Sequence, residues 1–154
     1  MIVEHRRYRL VFLVIVFCLQ VWSCEEDTVE PETNKSFEGI LEVDVLCNIV
    51  GGDTTDFLPR PQTGPANYSL KYACPNPAQG KTTGIHWQIP QPDSVWILAY
   101  DRPGGPPVDT LYNRSSSAGS FVKSWTYDGP AGIYRIRMFT GSGFSSYGDV
   151  QLED

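Results

Sequence analysis

The chain has 154 residues, 12 Lys and Arg against 18 Asp and Glu, and a formal net charge of −6. That length supports one small domain with its own core. The acidic balance argues against nucleic acid as a partner: no basic stripe is present to release phosphate counterions, and the aromatic residues are not interleaved with Lys or Arg.

The first two dozen residues read as an export signal. Arg6, Arg7 and Arg9 precede the apolar run Leu10 to Leu19, and Val21-Trp22-Ser23-Cys24 leads into Glu25-Glu26-Asp27. The arginines stay on the cytoplasmic side while the apolar run enters the translocation path, because carrying guanidinium through hydrocarbon is costly. The segment resembles a bacterial lipoprotein signal, with Val21 and Ser23 at the apolar and small positions before a lipidated cysteine, here Cys24. The resemblance implies removal of residues 1–23 and a diacylglyceryl group on the Cys24 sulfur. With more than one acyl chain, at about 0.8 kcal/mol per buried CH₂, anchoring is stable. Two other readings compete. An uncleaved span wants about 20 apolar residues, roughly twice the strict run. Ordinary signal peptidase wants a small-x-small site that is not obvious. Cys18 lies inside the apolar run and is read as removed.

Residues 24–36 form an acidic tether with Glu25, Glu26, Asp27, Glu30 and Glu32. Its composition is that of a solvated linker. It is also similar to the acidic stretches after the lipidated cysteine in surface-exported lipoproteins of the Bacteroidetes type, which implies an outer-membrane, surface-exposed location. Residues 37–66 are a short β segment and a linker. Phe37 to Val50 alternates as one strand or a hairpin, Gly51 to Asp56 reads as a turn, and Pro59 to Pro65 is Pro/Gly-rich. Asp53 and Asp56 suit an Asx-type turn better than a calcium loop, which would need a closing glutamate. Cys47 and Cys74 remain after lipidation. In an oxidising compartment they can close a loop of about 27 residues worth roughly 3 kcal/mol, the other reading being two buried thiols.

Residues 67–154 change pattern. Ser69 to Cys74, Lys81 to Ile89, Ser94 to Tyr100, Val108 to Tyr112, Ser120 to Tyr127, Ile133 to Thr140 and Ser145 to Leu152 read as strands, separated by Gly and Pro turns. About seven short strands at this spacing predict an all-β, immunoglobulin-like sandwich of antiparallel strands. Trp87, Trp96, Trp125, Tyr100 and Tyr134 are expected mainly as core filling, with some aromatics near Trp96 facing solvent.

These residues carry a second resemblance. Pro75-Asn76-Pro77, the alternating Ile85 to Pro90, Val95 to Tyr100 with Asp101, and Gly104-Gly105 follow in order. Trp125, Asp128-Gly129 and Ala131-Gly132-Ile133-Tyr134 come after them. Together they resemble the immunoglobulin-like domain named for the flagellar hook-capping protein, and equally the C-terminal sorting domains of type IX secretion cargo. Pro75 and Pro77 cannot donate to a ladder and mark an edge or strand entry. Asp128-Gly129 is expected to supply a turn with positive φ, and Gly132 a tight entry to a core strand.

Catalysis finds little in the sequence. His86 lies mid-strand without a sequence partner, and Ser115-Ser116-Ser117 reads as a flexible, turn-like stretch without nucleophile context. Cys47, Cys74 and His86 lack metal-ligand spacing, and no phosphate loop precedes a helix. The expectation is a non-enzymatic envelope lipoprotein without cofactor, bound to the membrane through its lipid and to a secretion or envelope protein through its sandwich. The alternatives are a sorting domain and a carbohydrate-binding or small hydrolytic surface protein using an exposed aromatic face.

Overall fold

The structure, a computed structural model, describes residue 37 and residues 39–57 and 66–154. Cys24, the signal and the acidic tether lie outside the described residues.

Nine strands follow in chain order: β1 Leu41–Val43, β2 Ile49–Gly52, β3 Ser69–Cys74, β4 Thr82–Ile89, β5 Asp93–Tyr100, β6 Asp109–Ser116, β7 Gly119–Thr126, β8 Gly132–Thr140 and β9 Ser145–Leu152. They form a three-stranded sheet ordered β3-β4-β7, a four-stranded sheet ordered β6-β5-β8-β9, and the hairpin β1-β2. All ladder pairs are antiparallel. The architecture is an all-β, immunoglobulin-like sandwich.

Alternation builds its core. On β4, Ile85, Trp87 and Ile89 are buried, as are Val95, Ile97 and Ala99 on β5 and Tyr134, Ile136 and Met138 on β8. Each large apolar side chain taken from water contributes about 1.5–3 kcal/mol. Trp87 lies 4.9 Å from Tyr112 and 5.5 Å from Phe121, ring centre to ring centre, so both sheets contribute to its packing. The Trp125 indole on β7 donates to Asp109 Oδ2 on β6 at 2.9 Å, a polar tie between the sheets. Tyr134, near the start of β8, donates its hydroxyl to Pro130 O at 2.6 Å. That bond is the tyrosine corner of immunoglobulin-like sandwiches. Burial, then the Tyr127 and Asp101 charges, raise the Tyr134 pKa, which keeps the donor proton in place.

Several boundaries differ from the sequence expectation. The N-terminal hairpin turns at Asp44 to Asn48, and the turn expected over Gly51 to Asp56 is confined to residues 53–56, where Asp56 N donates to Asp53 O at 3.1 Å. Asp44 Oδ1 accepts the amides of Leu46 at 2.9 Å and Asn48 at 2.8 Å, so its carboxylate closes the turn. Gly51 and Gly52 belong to β2 instead, paired with Glu42 and Leu41. Gly52 has φ +82°, and a Cβ there would meet Ile40 O at 2.2 Å. Ser115 and Ser116 are the end of β6, held in register with Ser94 and Asp93, and the chain changes sheets through residues 117–118. Lys81 ends a 3₁₀ turn, Gln79–Lys81, before β4 begins.

The hairpin belongs to the same core as the sandwich. Leu41 and Val43 are buried within it. Val43 exchanges backbone bonds with Asn76, N to O at 2.7 and 2.9 Å. Asn76, wholly buried, donates Nδ2 to Leu41 O at 2.9 Å and Asp149 O at 3.0 Å, and accepts Gln151 N at 2.9 Å. One amide thus joins β1 to β9.

Candidate functional site

Because alternate residues of the four-stranded sheet face the core, the others form an outer face. On β5 these are Trp96, Leu98 and Tyr100; on β8 they are Arg135, Arg137 and Phe139, all partly exposed. The register sets Trp96 against Phe139, Leu98 against Arg137 and Tyr100 against Arg135. On the other side, Arg135 meets Asp149 and Arg137 meets Tyr147 of β9. The sequence expectation of core packing therefore holds for Trp87, Trp125 and Tyr134, while Trp96 and Tyr100 take the outer face.

The loop after β5 folds beside this face and closes a cleft of about 560 Å³, lined among others by Phe37, Tyr100, Arg102, Arg135, Arg137 and Tyr147. The arginines differ in how they are held. Arg135 makes a two-point contact with Asp149, Nε to Oδ1 and Nη2 to Oδ2, both at 2.7 Å. Its guanidinium lies 4.4 Å from the Phe37 ring centre and 4.2 Å from that of Tyr147. Asp149 is buried, and its own amide donates to Asp56 Oδ2 at 2.7 Å. Arg102 approaches Asp101 only at 3.9 Å. Arg137 has rings on two sides, Phe139 at 4.9 Å and Tyr100 at 5.7 Å. Among the described residues Arg137 has no carboxylate partner.

A second surface is the hairpin tip. Val45, Leu46, Ile49 and Val50 are 79%, 78%, 49% and 64% exposed. Cys47 at the tip is bonded to Cys74 at the end of β3, with S–S 1.95 Å and Cα–Cα 5.4 Å. The Asn48 amide and side chain hold Asp44 below the usual carboxylate range, burial opposing them weakly. The apolar tip is thus mounted on a stapled, hydrogen-bonded turn.

No protein-family model, curated protein or solved structure matches this chain. Function must therefore be argued from the sequence and these surfaces.

The remaining sequence-predicted residues serve the fold. Pro75 and Pro77 flank Asn76 directly after β3, the edge strand of its sheet, so the edge reading holds, and they stand at a strand exit rather than an entry. Asp128 and Gly129 make the bend before β8, but Gly129 does not have positive φ. A Cβ on it would meet the Tyr127 ring at 2.1 Å, so close approach is what a glycine permits there. Gly132 opens β8 with φ 157°. Asp53 Oδ1 accepts the amide and hydroxyl of Thr55, at 2.9 and 2.7 Å, an Asx turn as the sequence suggested.

His86 and the serines are not brought together. His86 lies on β4 of the three-stranded sheet, Ser115 and Ser116 on β6 of the four-stranded one. Burial, then the Lys71 charge, lowers the His86 pKa. Among the described residues no group of three or more His, Cys, Asp or Glu could hold a metal ion.

The sequence reading missed Asp93. Its Oδ2 accepts the hydroxyls of Tyr68 at 2.9 Å and Ser142 at 2.5 Å, and its Oδ1 accepts the Ser94 amide at 2.7 Å. Burial raises its pKa, but these bonds outweigh it and hold the carboxyl at about 2. An Asp opening a strand beside Ser94 is the signal that was available. The arginine cleft had none, because it depends on cross-strand register.

Proposed function

We propose that this protein is a lipid-anchored envelope protein, acylated at Cys24, whose immunoglobulin-like sandwich is a non-catalytic module for binding another envelope or secretion protein. The observation that carries the binding half is the hairpin tip. Four large apolar side chains stand in water on a turn already fixed by a disulfide and by Asp44. Covering them would contribute on the order of 5 kcal/mol, and a turn fixed beforehand loses little further freedom on binding. Residues 39–57 contain no Lys or Arg while Glu42 and Asp44 border the tip, which favours a protein groove over an anionic lipid surface.

A photo-crosslinking amino acid at Leu46 tests the surface in intact cells, with Lys123 as the control position. A discrete protein adduct from position 46 and none from 123 is expected. Equal labelling from both positions, or none from 46, refutes the assignment. Metabolic labelling with a palmitate analogue tests the anchor: wild type should label and Cys24→Ala should not. Label in both proteins or in neither removes the lipoprotein reading.

A further inference from the structure

The cleft on the outer face of the four-stranded sheet contains a charge that no carboxylate among the described residues pairs with. Arg135 has an acidic cross-strand neighbour, Asp149, and is neutralised by it at two points. Arg137, two residues on, faces Leu98 on one side and Tyr147 on the other. Its guanidinium carbon lies 4.9 Å from the Phe139 ring centre and 5.7 Å from that of Tyr100, yet no carboxylate among the described residues reaches it. In a chain with six more acidic than basic groups, an arginine held between rings in a cleft, with no carboxylate partner among the described residues, is positioned for an anion from outside.

The geometry points to a binding site for a carboxylate-bearing sugar ring, such as a uronic-acid residue of an acidic glycan, with Arg137 as the carboxylate receptor. Three properties of the cleft select that chemistry. Its volume of about 560 Å³ falls within the range of small-molecule pockets and holds one or two rings. Its walls combine the ring of Tyr100 with Pro103 and Pro107, apolar surfaces against which the CH face of a sugar packs. Its surplus charge is small, Arg137 plus Arg102 at the rim, which suits a singly charged group. A polyanion would need a longer row of cations than this.

The loop shapes the rim. A Cβ on Gly105 would lie 2.9 Å from Arg102 Cγ, so glycine there gives the arginine room to lie along the loop. Gly104 has nothing within 4 Å of its Cβ position, which leaves open space beside its backbone for a ligand hydroxyl. This inference is independent of the hairpin tip and of what binds there.

Isothermal titration of the full chain, solubilised in detergent, tests it with D-glucuronate and D-galacturonate, with D-glucose and with inorganic phosphate. At least one uronate should bind saturably. Glucose and phosphate should each bind about ten-fold more weakly or worse, glucose lacking the carboxylate and phosphate the ring. Arg137→Gln should lower uronate affinity about ten-fold or more, while Lys123→Gln, on the other sheet, should leave it unchanged. Arg137→Lys keeps the charge without the planar fork, and its weaker uronate binding serves as the reading should the Gln variant fail to fold. Absence of saturable uronate binding overturns the proposal. So does phosphate binding as tightly as uronate, which marks a general anion site, or glucose binding as tightly, which removes the carboxylate receptor. Unchanged affinity in a folded Arg137 variant also overturns it.

Discussion

Replacing Asn76 should be among the most damaging single changes to this fold, and the reason is polar rather than steric. The side chain is wholly buried and makes three hydrogen bonds, to Leu41 O at 2.9 Å, to Asp149 O at 3.0 Å and from Gln151 N at 2.9 Å. Each bond is worth about 0.5–1.5 kcal/mol net, but a buried partner left unsatisfied costs about 1–3 kcal/mol. Some relaxation and water entry will recover part of this, so Asn76→Ala should lose about 3–5 kcal/mol. For a domain of this size that lowers the melting midpoint by on the order of 10–20 °C. Urea titration followed by tryptophan fluorescence measures the loss directly. Asn76→Leu separates the causes. It restores volume without restoring donors or acceptor, so it should be as destabilising as Ala. A loss below about 1 kcal/mol for Ala, or substantial recovery with Leu, would refute the polar-clasp argument.

Three further outcomes follow from the same structure. Replacing both Cys47 and Cys74 by serine opens a loop with sequence separation 27 and should cost about 3 kcal/mol, measured by urea titration against the oxidised protein. Arg135→Gln leaves the Asp149 carboxylate buried without its charged partner, and should cost about 3 kcal/mol, whereas changing both residues to apolar ones should cost less. Asp93 has a folded pKa of about 2 against the usual 3.8, so its stabilisation is present above pH 4 and is lost as pH falls towards 2. Asp93→Asn should therefore flatten the acid limb of the stability profile and cost about 1–2 kcal/mol at pH 7, seen in urea titrations across pH.

The strand positions were legible because period-two alternation is strong where one face is buried. Ile85, Trp87 and Ile89 on β4, and Val95, Ile97 and Ala99 on β5, appear in the sequence as they lie in the core. What misled was local chemistry with two outcomes. A Gly-Gly-Asp stretch reads as a turn from its first glycine, and residues 53–56 do turn, yet both glycines fall into β2, where Gly52 must pass close to Ile40 O, while Asp44 closes the hairpin's own turn through its side chain. The serine run at 115–117 reads as a loop because serine has weak strand preference; cross-strand partners Ser94 and Asp93 hold its first two residues in β6. The tip of the hairpin was partly legible, since Val45, Leu46, Ile49 and Val50 are plainly apolar, but alternation alone could not show that they point into water. The arginine cleft was not legible. It requires Tyr100, Arg135, Arg137 and Tyr147 to meet across three strands, and register is a tertiary property.

The disulfide at the hairpin tip also sets how the domain responds to a pull from its N-terminal side. Tension entering there can peel away β1 as far as Cys47 and then passes through the sulfurs to Cys74 at the end of β3. The stretch between them, with β2 and most of β3, carries no force. With a separation of 27 residues, it withholds about 90 Å of extended chain from the pulled length. Beyond Cys74 the strain meets Asn76 and its hydrogen bonds to the last strand. The domain, stressed from its N-terminal end, would thus yield a short, fixed extension first and then resist through its C-terminal strand.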